Sequence, residues 1–219
     1  MALTDLYSNL QLLLRWIHVL AGIIWIGHLY FFNFVNVPFQ GTIGADVKKV
    51  VNPALIGRAL WWFRMGAMTT FVVGLLLFVQ LYMYVPGVGF GPSDLFSTAD
   101  GMTGRAWWIL LGMLLGTIMW FNVWFVIWPA QQKILAGVRD GTPVDPGLPK
   151  RALKASRINT YLSGPMLFGM LAPNHYGGIN LITAVIAIGL GMLAVWRMIN
   201  MAPQVGKEFG PAPGPAART

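Results

Sequence analysis

The chain has three histidines, His18, His28 and His175, and no cysteine among its 219 residues. Two of the histidines fall in one otherwise apolar run, "RWIHVLAGIIWIGH", residues 15–28. An imidazole is costly to remove from water, so its place there calls for a partner or a ligand. Proton transfer and metal ligation are the chemistries that this side chain brings. Without cysteine, the chain itself holds no disulfide, no thiolate iron–sulfur cluster and no covalently attached haem. A haem b held by imidazole remains open.

His18, Gly22 and Trp25 follow i, i+4, i+7 spacing and share one face of a helix. A glycine one turn from a histidine clears space for a large planar ligand. At about 1.5 Å per residue, His18 lies about 12 Å below the outer end of its helix, and His28 about 15 Å deeper and turned by about 80°. One metal ion cannot take both from a single straight helix. They serve two sites, or one site and one structural contact. His175, in "APNHYGG", belongs to a tight outer connection, from which it could meet His18 across a bundle as a bis-imidazole haem b pair. The plainer alternative has His18 hydrogen-bonded to a neighbouring helix and His175 as an interfacial loop residue. A further constellation, Arg157, Asn159, Tyr161, Ser163 and Pro165, is unusually polar for a membrane segment, and Asn122 is an amide in need of a partner. Such a cluster lines a small cavity or ties its helix to the neighbours.

The elements that must position these residues are membrane spans. Of the residues, 56% are hydrophobic and only 10% charged, against roughly 25% charged in soluble domains. Five segments approach the length of about 20 apolar residues that a span requires: 10–34, 61–85, 106–128, 155–171 and 179–198. The third is expected to stop at Pro129. The fourth is shorter and more polar, so it fits either a full span or a re-entrant helix. Thirteen of the 15 basic residues lie on one side of these segments, leaving only Arg15 and Arg105 on the other. That positive-inside pattern requires an odd number of spans, with the N-terminus outside and the C-terminus in the cytoplasm. The expected fold is therefore all-α, a polytopic transmembrane bundle over residues 1–201 followed by a disordered Pro/Gly/Ala-rich tail, 202–219.

The net charge of +8 is thus topological, and no nucleic-acid partner is expected. No acidic residue lies within any of the five segments, which counts against a proton pump or cation-coupled transporter. No repeat is visible, and "MALTDLYSN" lacks the basic start of a cleavable leader. Trp61, Trp62, Trp107, Trp108, Trp124 and Trp128 cluster near segment ends as an interfacial belt, with stacking on a cofactor ring the alternative for one or two. Gly112 with Gly116, and Gly189 with Gly191, favour close helix approach.

Three stretches together, "RWIHVLAGIIWIG", "NVWFVIWPAQQKIL" and "RALKASRINTYLSGPMLFGMLAPNHYG", resemble the membrane domain of bacterial membrane-bound urate hydroxylases, the urate oxidase N-terminal domain family. The third is the most specific, with Ser156, Asn159, Tyr161, Pro165, Asn174 and His175 among the positions matched in order. The first also looks like other small haem-binding or copper-related membrane families. The resemblance implies a multi-pass protein of the bacterial inner membrane with a role in oxidation and electron transfer. The chain departs from the pattern in lacking the cytochrome c domain, in Ile158 where the family tends to have histidine, and in His28 where a small residue is expected. It reads as a short, divergent, stand-alone relative. The expected function is an integral membrane redox subunit that binds haem b and exchanges electrons with a partner carrier or oxidase. Its expected partners are membrane lipid and other membrane subunits or a cytochrome c-type carrier. The alternatives are a non-catalytic subunit of a respiratory or photosynthetic complex, and a urate-hydroxylase-like enzyme using an external cytochrome c.

Overall fold

A computed structural model describes residues 5–176 and 178–209. Helix α1 (Leu6–Tyr30) begins at Asp5, whose carboxylate accepts the Ser8 amide at 3.1 Å. It continues through a π-helical turn, Phe31–Asn36, into α2 (Val37–Gln40). Next, α3 (Ala45–Val51) passes through a second π turn, Asn52–Ile56, into α4 (Gly57–Tyr82). Two small antiparallel hairpins follow, β1 (Tyr84–Val85) with β2 (Gly89–Phe90), and β3 (Ser97–Thr98) with β4 (Gly101–Met102). Helix α5 (Gly104–Phe121) then runs through a third π turn, Asn122–Ile127, into α6 (Trp128–Asp140). Helix α7 (Gly147–Leu171), a 3-10 turn (Ala172–Asn174) and α8 (Leu181–Met201) complete the bundle.

The three π turns share a cause. Pro38 and Pro129 stand just beyond the first and third of them, and Pro53 stands within the second. A proline has no N–H to donate and crowds the carbonyl four residues back. A wider turn relieves that conflict without breaking the helix. The expectation that the third segment stops at Pro129 is corrected accordingly: the helix widens over Asn122–Ile127 and carries on to Asp140.

Four continuous helical stretches are long and apolar enough to cross a membrane: Leu6–Gln40, Ala45–Tyr82, Gly104–Asp140 and Leu181–Met201. The fifth long helix, α7, starts at Gly147, eight residues before the expected start at 155. Lys150, Arg151, Lys154 and Arg157 make its first half polar, yet it packs against α5, α6 and α8 and also touches α1. Of the expected tail, residues 202–206 form turns and Lys207–Phe209 a short 3-10 helix, whereas 210–219 lie outside the described residues.

Lipid tails are as apolar as leucine, so close packing rather than exclusion from water holds such helices together. Glycine provides it here. A Cβ on Gly112 of α5 would lie 3.0 Å from the Gly169 carbonyl carbon of α7. A Cβ on Gly191 of α8 would lie 2.6 Å from the Pro165 nitrogen of α7. Between these contacts Trp25, Leu29, Leu60, Phe63, Met119 and Val123 form the buried core.

Candidate functional site

The face expected from the spacing on α1 exists, and α4 lies against it. A Cβ on Gly74 would lie 2.9 Å from His18 Cε1, one on Gly22 would lie 4.0 Å from the Thr70 methyl, and one on Gly66 would lie 3.0 Å from the Trp25 amide nitrogen. His18, Gly22 and Trp25 thus meet Gly74, Thr70 and Gly66 in an antiparallel ladder, with small residues every fourth position on α4. The space expected beside Gly22 is taken by Thr70. The His18 ring lies in a slot whose floor is Gly74, and its Nδ1 is buried with no hydrogen-bond partner. Trp25 is in the core, and its Nε1 is likewise buried without a partner.

His28 is held differently. Its Nδ1 donates to the Ile24 carbonyl at 2.7 Å, because a carbonyl can only accept. That bond fixes the ring orientation and, in the neutral ring, leaves the lone pair on Nε2. The half-buried ring stands 6.5 Å from that of Phe32. His175 is exposed on the turn that closes α7, where its amide bonds to the Ala172 carbonyl at 3.0 Å. This turn packs on α5, while His18 packs on α4. Asn174 beside it accepts from Arg105, and Tyr176 stands 6.2 Å from Trp108 in an aromatic group completed by Phe168. No group of three or more histidine, aspartate or glutamate residues with metal-site geometry occurs among the described residues.

The polar residues singled out on α7 have different surroundings. Asn159 is fully buried, accepts from Asn122 Nδ2 at 2.8 Å and donates to the Met119 carbonyl at 2.9 Å, so one side chain joins α7 to α5 and its π turn. Arg157 keeps a buried Nη1 without a partner, and Tyr161 is half-buried outside this bond pair. Two further side-chain bonds join α7 to the first helical stretch. Asn33, 1% exposed, donates to Ser156 Oγ at 2.8 Å, and the Tyr30 hydroxyl meets Ser163 Oγ at 2.9 Å. The signal for them was Ser156 and Ser163, one residue type at i, i+7 on a single face of α7.

At the end of the bundle that carries the basic loops lies a cavity of about 360 Å³. Its polar positions are Asn36, Gln40, Asn52, Gln131 and Ser156, and no charged side chain among the described residues lines it. Phe32, Phe63 and Ile127 form its inner wall. Each of the three π turns contributes lining: Phe32 and Asn36 from the first, Asn52 and Ile56 from the second, Ile127 from the third.

Long apolar helices tied together by buried amides and hydroxyls define a helical membrane protein. A family model described as urate oxidase N-terminal matches residues 93–201, and over that stretch the chain is similar to that family. The match covers α5 to α8, with Asn122, Asn159, Asn174 and His175, and does not reach His18 or His28. No curated protein and no solved structure matches the chain.

Proposed function

We propose that the chain is an integral membrane redox subunit that holds a haem b through His18 and exchanges electrons with a partner carrier or oxidase. The observation that carries this reading is the His18 imidazole, buried in a membrane helix beside the Thr70 main chain, with an Nδ1 that makes no well-formed hydrogen bond among the described residues. The donor chemistry fits haem iron. Imidazole is the usual axial ligand of such haems, and the chain has no thiolate to offer instead. His28 is the natural second candidate, since its Nδ1 bond to Ile24 leaves Nε2 available for ligation. Haem, where bound, supplies one-electron chemistry; the chain supplies the ligand, the apolar surroundings and the exclusion of water. Gly74 lies against the Cε1 and Nδ1 side of the ring and Thr70 fills the space at Gly22, so His18 would hold a haem through Nε2, the nitrogen farther from Gly74.

Single alanine variants at His18, His28 and His175 test the assignment through haem content per purified chain. Loss in His18→Ala alone is the expected result. Loss in His28→Ala with His18→Ala unaffected would move the site about 15 Å along α1.

A second reading, a non-catalytic subunit of a larger complex, draws on α8. Its outward face, Ile182, Ile186, Gly189 and Leu193, is exposed, and a Cβ on Gly189 would meet nothing within 4 Å. An open glycine on an apolar face suits another helix. Co-purification of a partner through α8 without bound haem would favour this reading. A urate-hydroxylase-like enzyme working with an external cytochrome c is the third; urate consumption by membranes containing the chain would support it.

A further inference from the structure

We infer that the cavity formed at the three π turns binds the head of a quinone, a neutral ring bearing carbonyl acceptors on an apolar tail. The wide turns are the first argument. Each costs regular hydrogen bonding, and all three contribute side chains to one space, as π turns at functional sites do.

Charge is the second argument. Among the described residues no lysine, arginine or histidine lines the cavity to meet a phosphate, and no carboxylate to meet a cation. The occupant is therefore neutral, which separates a quinone from a phospholipid headgroup.

Hydrogen-bonding capacity is the third. Gln40 and Asn52 satisfy each other, with Gln40 Nε2 to Asn52 Oδ1 at 2.8 Å and Asn52 Nδ2 to Gln40 Oε1 at 3.2 Å. Asn36 only accepts, from Gln40 at 3.3 Å, so its amide N–H groups are unused within the chain. Ser156 accepts from Asn33, which leaves its own hydroxyl hydrogen to give. Gln131 takes no side-chain hydrogen bond among the described residues. Asn36, Gln131 and Ser156 are thus spare donors around an apolar space, as a ring with carbonyl oxygens requires. The Phe32 and Phe63 rings, edge to face at 5.5 Å, give the ring an aromatic wall.

Size and depth agree. A volume of about 360 Å³ is at the small end for ligand sites, enough for one substituted ring. The cavity lies level with Trp61, Trp62 and Trp128, where an interfacial belt is expected. The choice of a redox-active ring rests on the redox-subunit reading; the call for a neutral amphiphile with acceptors does not.

The test titrates the purified full-length protein in detergent with decyl-benzoquinone and follows tryptophan fluorescence. Saturable quenching is expected, weakened at least tenfold in Gln131→Leu and in Asn36→Leu, with thermal unfolding of both variants unchanged. His18→Ala should keep quinone binding even where it loses haem, so failure of the haem assignment and failure of this one are distinguishable. Quenching that rises linearly without saturation, or that is equal in the wild type and Gln131→Leu, overturns the inference. A phospholipid recovered from the site and not displaced by the quinone overturns it too.

Discussion

Asn159 has no exposed surface and bonds on both sides, accepting from Asn122 and donating to the Met119 carbonyl. Exchange of this amide for leucine leaves the Asn122 amide without its partner next to the core. Hydrogen bonds between membrane helices are worth about 1 kcal/mol, because the separated helices also find partners. Asn159→Leu should therefore destabilise the folded bundle by about 1–2 kcal/mol, read as a lower midpoint of thermal unfolding in detergent. Adding Asn122→Leu should cost little more, since the two act as one bond. The same comparison shows what a sequence conveys at this scale. Asn122 and Asn159 stood out because an amide in an apolar run demands a partner, and each is the other's. Ser156 and Ser163 were visible as polar positions, but their partners on α1 were not, because a serine in a helix can satisfy itself on its own backbone. Nor could spacing show that His28 would do so, at Ile24, while His18 would remain without a partner.

Among the elements, α7 and α8 approach so closely at Gly164 and Gly191 that the backbones touch. Leucine at 191 has no flexible side chain to push aside, only the Pro165 ring and the α7 main chain. Overpacking of this kind costs about 1–3 kcal/mol or more. Gly191→Leu should lower the unfolding midpoint, whereas Gly189→Leu, two residues away and facing open space, should leave it unchanged. Equal effects at the two positions would contradict this packing. Hydropathy located every long helix, since apolar length is a strong signal. It misplaced ends where proline intervened. Pro129 reads as a stop if only the regular helix is considered, but a π turn absorbs it. The small-residue row Gly66, Thr70, Gly74 is a similar case: it is visible once α1 is known to lie against it and silent before.

For the whole molecule, the distribution of basic residues is the main determinant of orientation. Helix α7 starts among them, at Gly147, and ends beside Arg105 on the opposite side. If α7 crosses, the chain has five spans and its C-terminus shares a side with the basic loops. A reporter fused after residue 201 should then be active in the cytoplasm, and one inserted between β2 and β3 should be active outside. A C-terminal reporter active outside would mean four spans and a helix α7 that enters without crossing. The bundle's class was legible from composition, because no soluble chain needs so much apolar surface. Its cavity was not, because the Asn36–Gln40 pair, Asn52 and Gln131 are far apart in sequence and converge only when three helical stretches pack.

The central claim, that His18 holds a haem b, is tested most directly by the reduced-minus-oxidised visible spectrum of the purified protein. A b-type absorbance band on reduction, absent from His18→Ala of equal stability, is the result expected. A colourless protein without iron, or a band that survives in His18→Ala, would contradict it.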